Sequence, residues 1–232
     1  MKILALISFY YATIMIFVSM TFMIILFYFL PKPYAVKVSA WLIRFLLFIP
    51  INKKGIEDKE AQMFLVNHQS DIDIGVMETI TSQDLAWVAK KELFDVPFFG
   101  LLLKLPNDIA VDRESKTSLV KLLRDAKDRI DAKRTIVIFP EGTRSSKGKM
   151  LPFKAGAKMI ANKYKLRVQP IVLINTASRY NIKTKHYNPS TITAIYMDSF
   201  IADKSDKEWL NSTREKMQKV YDDELANSSS DR

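Results

Sequence analysis

The 232-residue chain contains no cysteine, only two histidines (His68 and His186) and only six glycines. Without cysteine there is no disulfide framework, no thiolate-ligated zinc or iron–sulfur centre, and no thiol nucleophile. Two histidines leave little material for a histidine-rich metal centre. Acidic residues are missing from the first 50 positions, which carry Lys2, Lys32, Lys37 and Arg44, and no charge of either sign falls between Ile3 and Leu30. The remaining 182 residues hold 31 basic and 25 acidic side chains, so an apolar, acid-free front precedes an ordinary soluble body. A chain with 48% hydrophobic and 26% charged residues is not disordered as a whole. Its net charge of +10 calls for an anionic partner: nucleic acid, anionic lipid or a phosphorylated substrate. No nucleic-acid-binding motif accompanies the charge, and nucleic acid is not expected.

The 28-residue uncharged run from Ile3 to Leu30 exceeds the roughly 20 residues needed to cross a bilayer core. It is too long for the apolar core of a signal peptide, and Pro31-Lys32-Pro33 follows without a small-residue cleavage site. After the prolines, Ala35 to Ile51 reads as a second, interfacial helix in which Lys37 and Arg44 snorkel toward headgroups. Two topologies remain open, a span and a hairpin folded into one leaflet. A span would place the body on the cytoplasmic side, because Lys32, Lys37 and Arg44 outnumber Lys2. The expected localisation is therefore membrane-associated with a cytoplasmic body, at the inner membrane if the source is bacterial.

From residue 60 short apolar runs alternate with stretches of helical period. Strands are expected at 63–66, 85–89, 109–111, 135–139, 168–174 and 192–196, and helices at 71–81, 115–132, 153–163 and 207–225. The fold class this predicts is α/β, a mixed, largely parallel sheet flanked by helices behind a membrane-embedded two-helix element. The expected division is 1–52 for that element, 53–226 for the α/β domain and 227–232 for a flexible tail.

Asn67-His68-Gln69-Ser70-Asp71-Ile72-Asp73 directly follows a strand, where α/β folds open toward ligands. Five residues separate His68 from Asp73, so one continuous helix would turn them apart. Ser70-x-x-Asp73 has the form of a capping box, which would leave His68 outside the helix and Asp73 in its first turn. A carboxylate on Nδ1 fixes the tautomer and leaves Nε2 free to take a proton from a bound hydroxyl. Such general-base assistance contributes typically about 10²–10⁴-fold. The plainer alternative is a capping acid beside an ordinary loop histidine. A metal site of His68, Asp73 and Glu141 would lack a second nearby histidine.

Phe139-Pro140-Glu141-Gly142-Thr143-Arg144-Ser145 also follows a strand, at what should be the same sheet edge. Gly142 permits a turn or a close backbone approach, Arg144 offers a planar fork for phosphate, and Thr143 and Ser145 add hydroxyls. Lys147, Lys149 and Lys154 raise the local positive field. A turn with solvated bases is the alternative reading. Lys90, Lys91 and Asp112-Arg113 lie between the two segments, and Arg113 is a further clamp candidate unless it pairs with Asp112 or Glu114.

Taken together, these pieces resemble the glycerolipid acyltransferase family, most closely its 1-acyl-glycerol-3-phosphate acyltransferases. The family's Asn-His-x4-Asp motif is matched by Asn67, His68 and Asp73, and its Asp-Arg motif by Asp112-Arg113. The Phe-Pro-Glu-Gly-Thr-Arg-Ser motif is matched in full by 139–145, and the Val-x-Pro-Val-Val type strand by Val168-Gln169-Pro170-Ile171-Val172. Gln169 is a polar intrusion in that last motif. The resemblance covers roughly residues 35–200 and implies that His68 is the base and Asp73 its orienter. Glu141, Gly142, Thr143 and Arg144, with Arg113 and Lys90 nearby, would bind the acceptor's phosphate and glycerol. It further implies no metal or cofactor, acyl-CoA or acyl-carrier protein as co-substrate, and lysophosphatidic acid held in a phospholipid leaflet as acceptor. Oxyanion donors are expected near the helix start. Glycerol 3-phosphate or another lysophospholipid is the runner-up acceptor, and a non-catalytic anionic-lipid-binding module is the rival from another class.

Overall fold

In the computed structural model, which describes residues 2–112, 118–145 and 148–230, the apolar runs form the middle of one sheet. The elements in chain order are α1 (Lys2–Leu26), α2 (Lys32–Leu46), β1 (Ile51–Lys54), β2 (Met63–Val66), α3 (Asp73–Ile80) and β3 (Leu85–Lys90). Next come α4 (Lys91–Phe94), α5 (Phe99–Lys104), β4 (Ile109–Val111), α6 (Ser118–Asp131), β5 (Thr135–Ile138) and α7 (Ala155–Tyr164). The chain ends with β6 (Arg167–Ile174), α8 (Thr176–Arg179), β7 (Tyr180–Asn181), β8 (His186–Tyr187), β9 (Ile192–Tyr196), β10 (Phe200–Ile201) and α9 (Trp209–Ser230). The main sheet runs β1-β9-β6-β2-β5-β3-β4, with β10 attached to β6. Strands β6, β2, β5, β3 and β4 are mutually parallel, while β9 and β10 run antiparallel to β6. This is the mixed, largely parallel sheet expected.

Both faces of the sheet are covered, and strict alternation along each central strand divides the core in two. Met63, Leu65, Ile136, Ile138, Val168 and Val172 point to α6, α7 and α9, where Leu122, Ile160, Trp209 and Met217 meet them. Phe64, Val66, Val137, Ile171 and Leu173 point the other way, toward Val76, Met77 and Ile80 of α3 and Phe9 and Ala12 of α1. Full burial of each such side chain contributes about 1.5–3 kcal/mol. Helix α9 stays helical through Ser230, across 227–230 where composition predicts a flexible tail.

The N-terminal hairpin is docked along the body. Pro33 sits in the first turn of α2, where a missing N–H costs nothing, and starts the return helix. Ser19 Oγ donates to Ser39 O at 2.8 Å and Tyr11 Oη to Leu46 O at 3.0 Å, tying α1 to α2. Phe17 of α1 stacks on Phe98, ring centroids 4.9 Å apart. Two of the bases expected at headgroups turn inward instead. Lys37 Nζ lies 3.3 Å from the buried Glu78 carboxylate and donates to the carbonyls of Glu78 and Thr81 at the end of α3. Arg44 Nε donates to Ile49 O at 3.2 Å. A helix C-terminus with free carbonyls attracts a nearby ammonium more strongly than water-screened headgroups do.

Candidate active site

The site lies where β2, β3 and β5 end, at the carboxyl edge of the parallel strands. Asn67 closes β2 with a side-chain imitation of a strand: its Nδ2 donates to Leu173 O (2.9 Å), and its Oδ1 accepts from Leu173 N–H (2.7 Å). This fixes the backbone from which His68 leaves the sheet. His68 Nδ1 is 2.8 Å from Asp73 Oδ2, and Asp73 is fully buried. The same carboxylate oxygen accepts the N–H groups of Gln69 (2.7 Å) and Ser70 (2.8 Å). An oxygen already accepting two N–H bonds is an acceptor for the third, so Nδ1 carries the proton and Nε2 the lone pair.

Half of the expected capping box forms. Asp73 reaches back to Ser70 N–H, but Ser70 Oγ donates to Tyr180 O and stands 3.5 Å from Ile72 N. A buried carbonyl 110 positions away outcompetes the local cap. The N–H groups of Gln69 and Ser70 are spent on Asp73, so these two are not available as oxyanion donors. The chain turns from His68 into α3, which opens at Asp73 with no side-chain cap.

The second motif braces the first. Glu141 is buried, and its Oε1 accepts His68 N–H (2.9 Å) while Oε2 accepts Leu151 N–H (2.8 Å). Burial raises its pKa above the usual carboxylate value, opposed by those two N–H bonds. Ser145 N–H donates to His68 O at 2.8 Å, so the histidine's peptide is held from both sides. Gly142, at φ +70°, ends a turn in which its N–H donates to Phe139 O. Phe139 stacks on the His68 ring, centroids 3.9 Å apart and planes within 10°. Sequence reasoning missed this aromatic plate; the one available signal was an aromatic residue at the close of a buried strand beside the loop.

Arg144 pairs with Asp71 at the rim, both partly exposed. Thr143 is exposed beside it. Lys90 ends β3 at the same sheet edge, half exposed and 3.0 Å from Glu92, outside the cavity wall described below. Arg113 lies outside the described residues, as does Lys147. Gln169, the polar intrusion, ties Ile56 and Met197 carbonyls and Asp58 N–H together at the start of β6, away from the catalytic edge. Among the described residues, no group of three or more His, Asp or Glu is placed to hold a metal ion.

From His68, Asp71 and Arg144 a cavity of about 680 Å³ runs between the hairpin and the body. Its walls are apolar side chains of α1 (Ile16, Met20, Met23), α2 (Val36, Ala40, Ile43), α3 (Ile74, Val76) and α5 (Leu102, Leu103). Toward the far end stand Glu78, Asp84, Asp108 and Arg134. Arg134 lies 3.2 Å from Asp84 and 3.6 Å from Asp108, and Trp87 donates its N–H to Asp108 and its indole N–H to Glu78. Burial pushes the Asp108 carboxyl up to about 8.

A histidine held by a buried carboxylate, at the head of an apolar cavity and beside a guanidinium, on a largely parallel α/β sheet, is an arrangement suited to general-base chemistry in an α/β enzyme. The chain belongs to the acyltransferase family, whose model matches residues 50–174. It is 40% identical over 174 residues to a 1-acyl-sn-glycerol-3-phosphate acyltransferase of Helicobacter pylori, covering 75% of this chain and 73% of that one. It is 30% identical to the enzyme of the same name from Cocos nucifera, over 86% of this chain and 68% of that one. Its fold matches the crystal structure of the 1-acyl-sn-glycerophosphate acyltransferase PlsC from Thermotoga maritima. The TM-score is 0.77 at 21% identity, over 98% of this chain and 97% of that one.

Proposed function

We propose that the protein transfers an acyl chain from an acyl thioester, of CoA or acyl-carrier protein, to the 2-hydroxyl of lysophosphatidic acid, forming phosphatidic acid. The observation that carries this reading is His68: its proton-bearing Nδ1 faces Asp73, and its ring borders an apolar cavity with Arg144 at the same mouth. Nε2 takes the proton of the acceptor hydroxyl as that oxygen attacks the thioester carbonyl. The imidazolium is stabilised by Asp73, and collapse of the tetrahedral adduct expels a thiolate that recovers the proton. Phosphatidate and free thiol leave, and the ring returns to its starting tautomer. The chemistry calls on no metal or cofactor.

Arg144 and Lys90 would meet the acceptor phosphate, with Gly142 and Thr143 lining the approach. Both bases are ion-paired in this structure, but half-exposed pairs are worth only about 0–1 kcal/mol, so a doubly charged phosphate can displace their carboxylates. Arg113, one residue beyond Asp112, is the third candidate. Glu141 supports the reaction by holding His68 rather than by meeting substrate. An acyl chain fits the apolar cavity.

The hairpin supports attachment to one leaflet rather than a span. Helix α1 is apolar enough to cross a bilayer, and its 25 residues reach about 37 Å. Yet Phe9, Ala12, Phe17 and Met20, spread along it, face the body or the cavity, which would be stranded in lipid if α1 crossed. The outward Ile3, Leu4, Ile7, Tyr10, Ile14 and Val18, with Trp41, Phe45 and Phe48 after them, form an apolar surface suited to a leaflet. The body then lies on the cytoplasmic side, whose anionic lipids favour a chain of net charge +10. Rates with lysophosphatidic acid, glycerol 3-phosphate and lysophosphatidylcholine, compared in one assay, test the acceptor. Lysophosphatidic acid should exceed both by at least tenfold; equal rates with the zwitterionic lipid would remove the phosphate clamp.

A further inference from the structure

Two neighbouring residues outside every motif named above, Arg179 and Tyr180, join the hairpin to the catalytic loop. Arg179 is fully buried and has no carboxylate partner among the described residues. Its guanidinium donates to the carbonyls of Leu47, Phe48 and Ser190 and to Tyr187 Oη. Leu47 caps α2, so the negative end of that helix helps to hold the buried cation and is fixed by it.

Tyr180 faces both ways. Its ring stacks on Phe9 of α1, centroids 5.6 Å apart and planes within 13°, and its Oη is 3.1 Å from Thr13 Oγ1. Its main-chain oxygen accepts Ser70 Oγ. Ser70 N–H in turn donates to the Asp73 oxygen that holds His68 Nδ1. Four successive contacts therefore lead from the hairpin to the base. Phe9 is 4% exposed and turned away from the outward apolar surface, so attachment to lipid does not require it.

We propose that Tyr180 is a positioning residue that couples the seating of the N-terminal hairpin to the geometry of His68, so that turnover as well as membrane attachment depends on the hairpin. This rests on the acyl-transfer reading above. Small displacements of a catalytic group cost up to about 10²-fold in rate. Tyr180 itself lines the cavity whereas Phe9 behind it does not, so Phe9 is the position at which to test the coupling.

The test uses the full chain on phosphatidylglycerol–phosphatidylethanolamine vesicles. It measures kcat per bound enzyme, KM for lysophosphatidic acid, and the Nδ1–H proton resonance of His68. With only His68 and His186 present, a His186→Gln background isolates that resonance. Phe9→Ala should lower kcat about tenfold, leave KM unchanged and move the resonance. Phe9→Leu should recover most of the rate. Tyr11→Phe, which loosens α1 from α2 elsewhere, should alter neither readout. In a double-mutant cycle Phe9→Ala and Ser70→Ala should be non-additive. Variants that lower only the bound fraction or Tm, with kcat and resonance intact, would overturn the coupling; if Phe9→Ala does not fold, Phe9→Leu with wild-type kcat and resonance does the same. The resonance needs no turnover, so wild-type protein inactive on lysophosphatidic acid would refute the acyl-transfer reading separately.

Discussion

Glu141→Gln separates bracing from substrate binding. The wild-type carboxylate accepts two main-chain N–H groups, from His68 and Leu151, at 2.9 and 2.8 Å in a buried site. Glutamine keeps one acceptor oxygen and turns an NH2 toward the other N–H. One bond is lost and two donors, the backbone N–H and the amide NH2 that faces it, are left unpaired, a cost of about 1–3 kcal/mol for each buried group. Rotation of the amide chooses which partner suffers, and either choice loosens the loop carrying His68. A fall of at least tenfold in kcat is expected, with KM for lysophosphatidic acid unchanged, because both carboxylate oxygens face protein. Steady-state kinetics on mixed micelles and a melting curve measure the two effects together. A raised KM at unchanged kcat would refute the bracing argument and return Glu141 to the acceptor site.

Other predictions follow from the cavity and its rim. Gly75 lies on the cavity wall, and a Cβ there would meet Ile43 at an ordinary 3.7 Å, so Gly75→Leu should fold while filling the apolar space. Acyl preference should move to shorter chains, with one methylene discriminated by roughly 10–200-fold; an unchanged profile in mixed-donor competition would remove the chain from this cavity. Arg144→Ala should raise KM for the acceptor about tenfold or more, and Asp71→Asn, which frees Arg144, should lower it; kinetics insensitive to both would rule out the clamp. Asp108 keeps its proton to about pH 8 in the native state, whereas the unfolded chain releases it near 3.8. Native protein thus binds the extra proton between those values, and stability falls as pH rises through that window. Asp108→Asn keeps an acceptor for Trp87 N–H and lacks the titration, so its Tm should gain on wild type from pH 5 to 8; parallel melting profiles would contradict this.

The central strands were legible because burial on both faces writes unbroken apolar runs at β2, β5 and β6, and the helical period of 115–132 and 207–225 marked two of the flanking helices. Strand β1 was not legible: Ile51-Asn52-Lys53-Lys54 is polar and exposed after its first residue, and only pairing with β9 extends it. The His68–Asp73 contact followed from spacing and a turn, since both residues lie on one short segment. The partners that hold the segment came from elsewhere in the chain. Nothing local distinguishes Arg179 from a surface base, or predicts that Ser70 will bond Tyr180 O. The inward turn of Lys37 likewise depends on where α3 ends, a tertiary fact that composition does not carry.

Thiol release from acyl-CoA or acyl-carrier protein, followed with and without lysophosphatidic acid for the wild-type protein and His68→Ala, tests the central claim most directly. Release that requires lysophosphatidic acid, yields phosphatidic acid and falls by at least about 10²-fold in a folded His68→Ala variant is the predicted result. Wild-type protein that releases no thiol with any acyl donor, or a His68→Ala variant that retains the full rate, would contradict it.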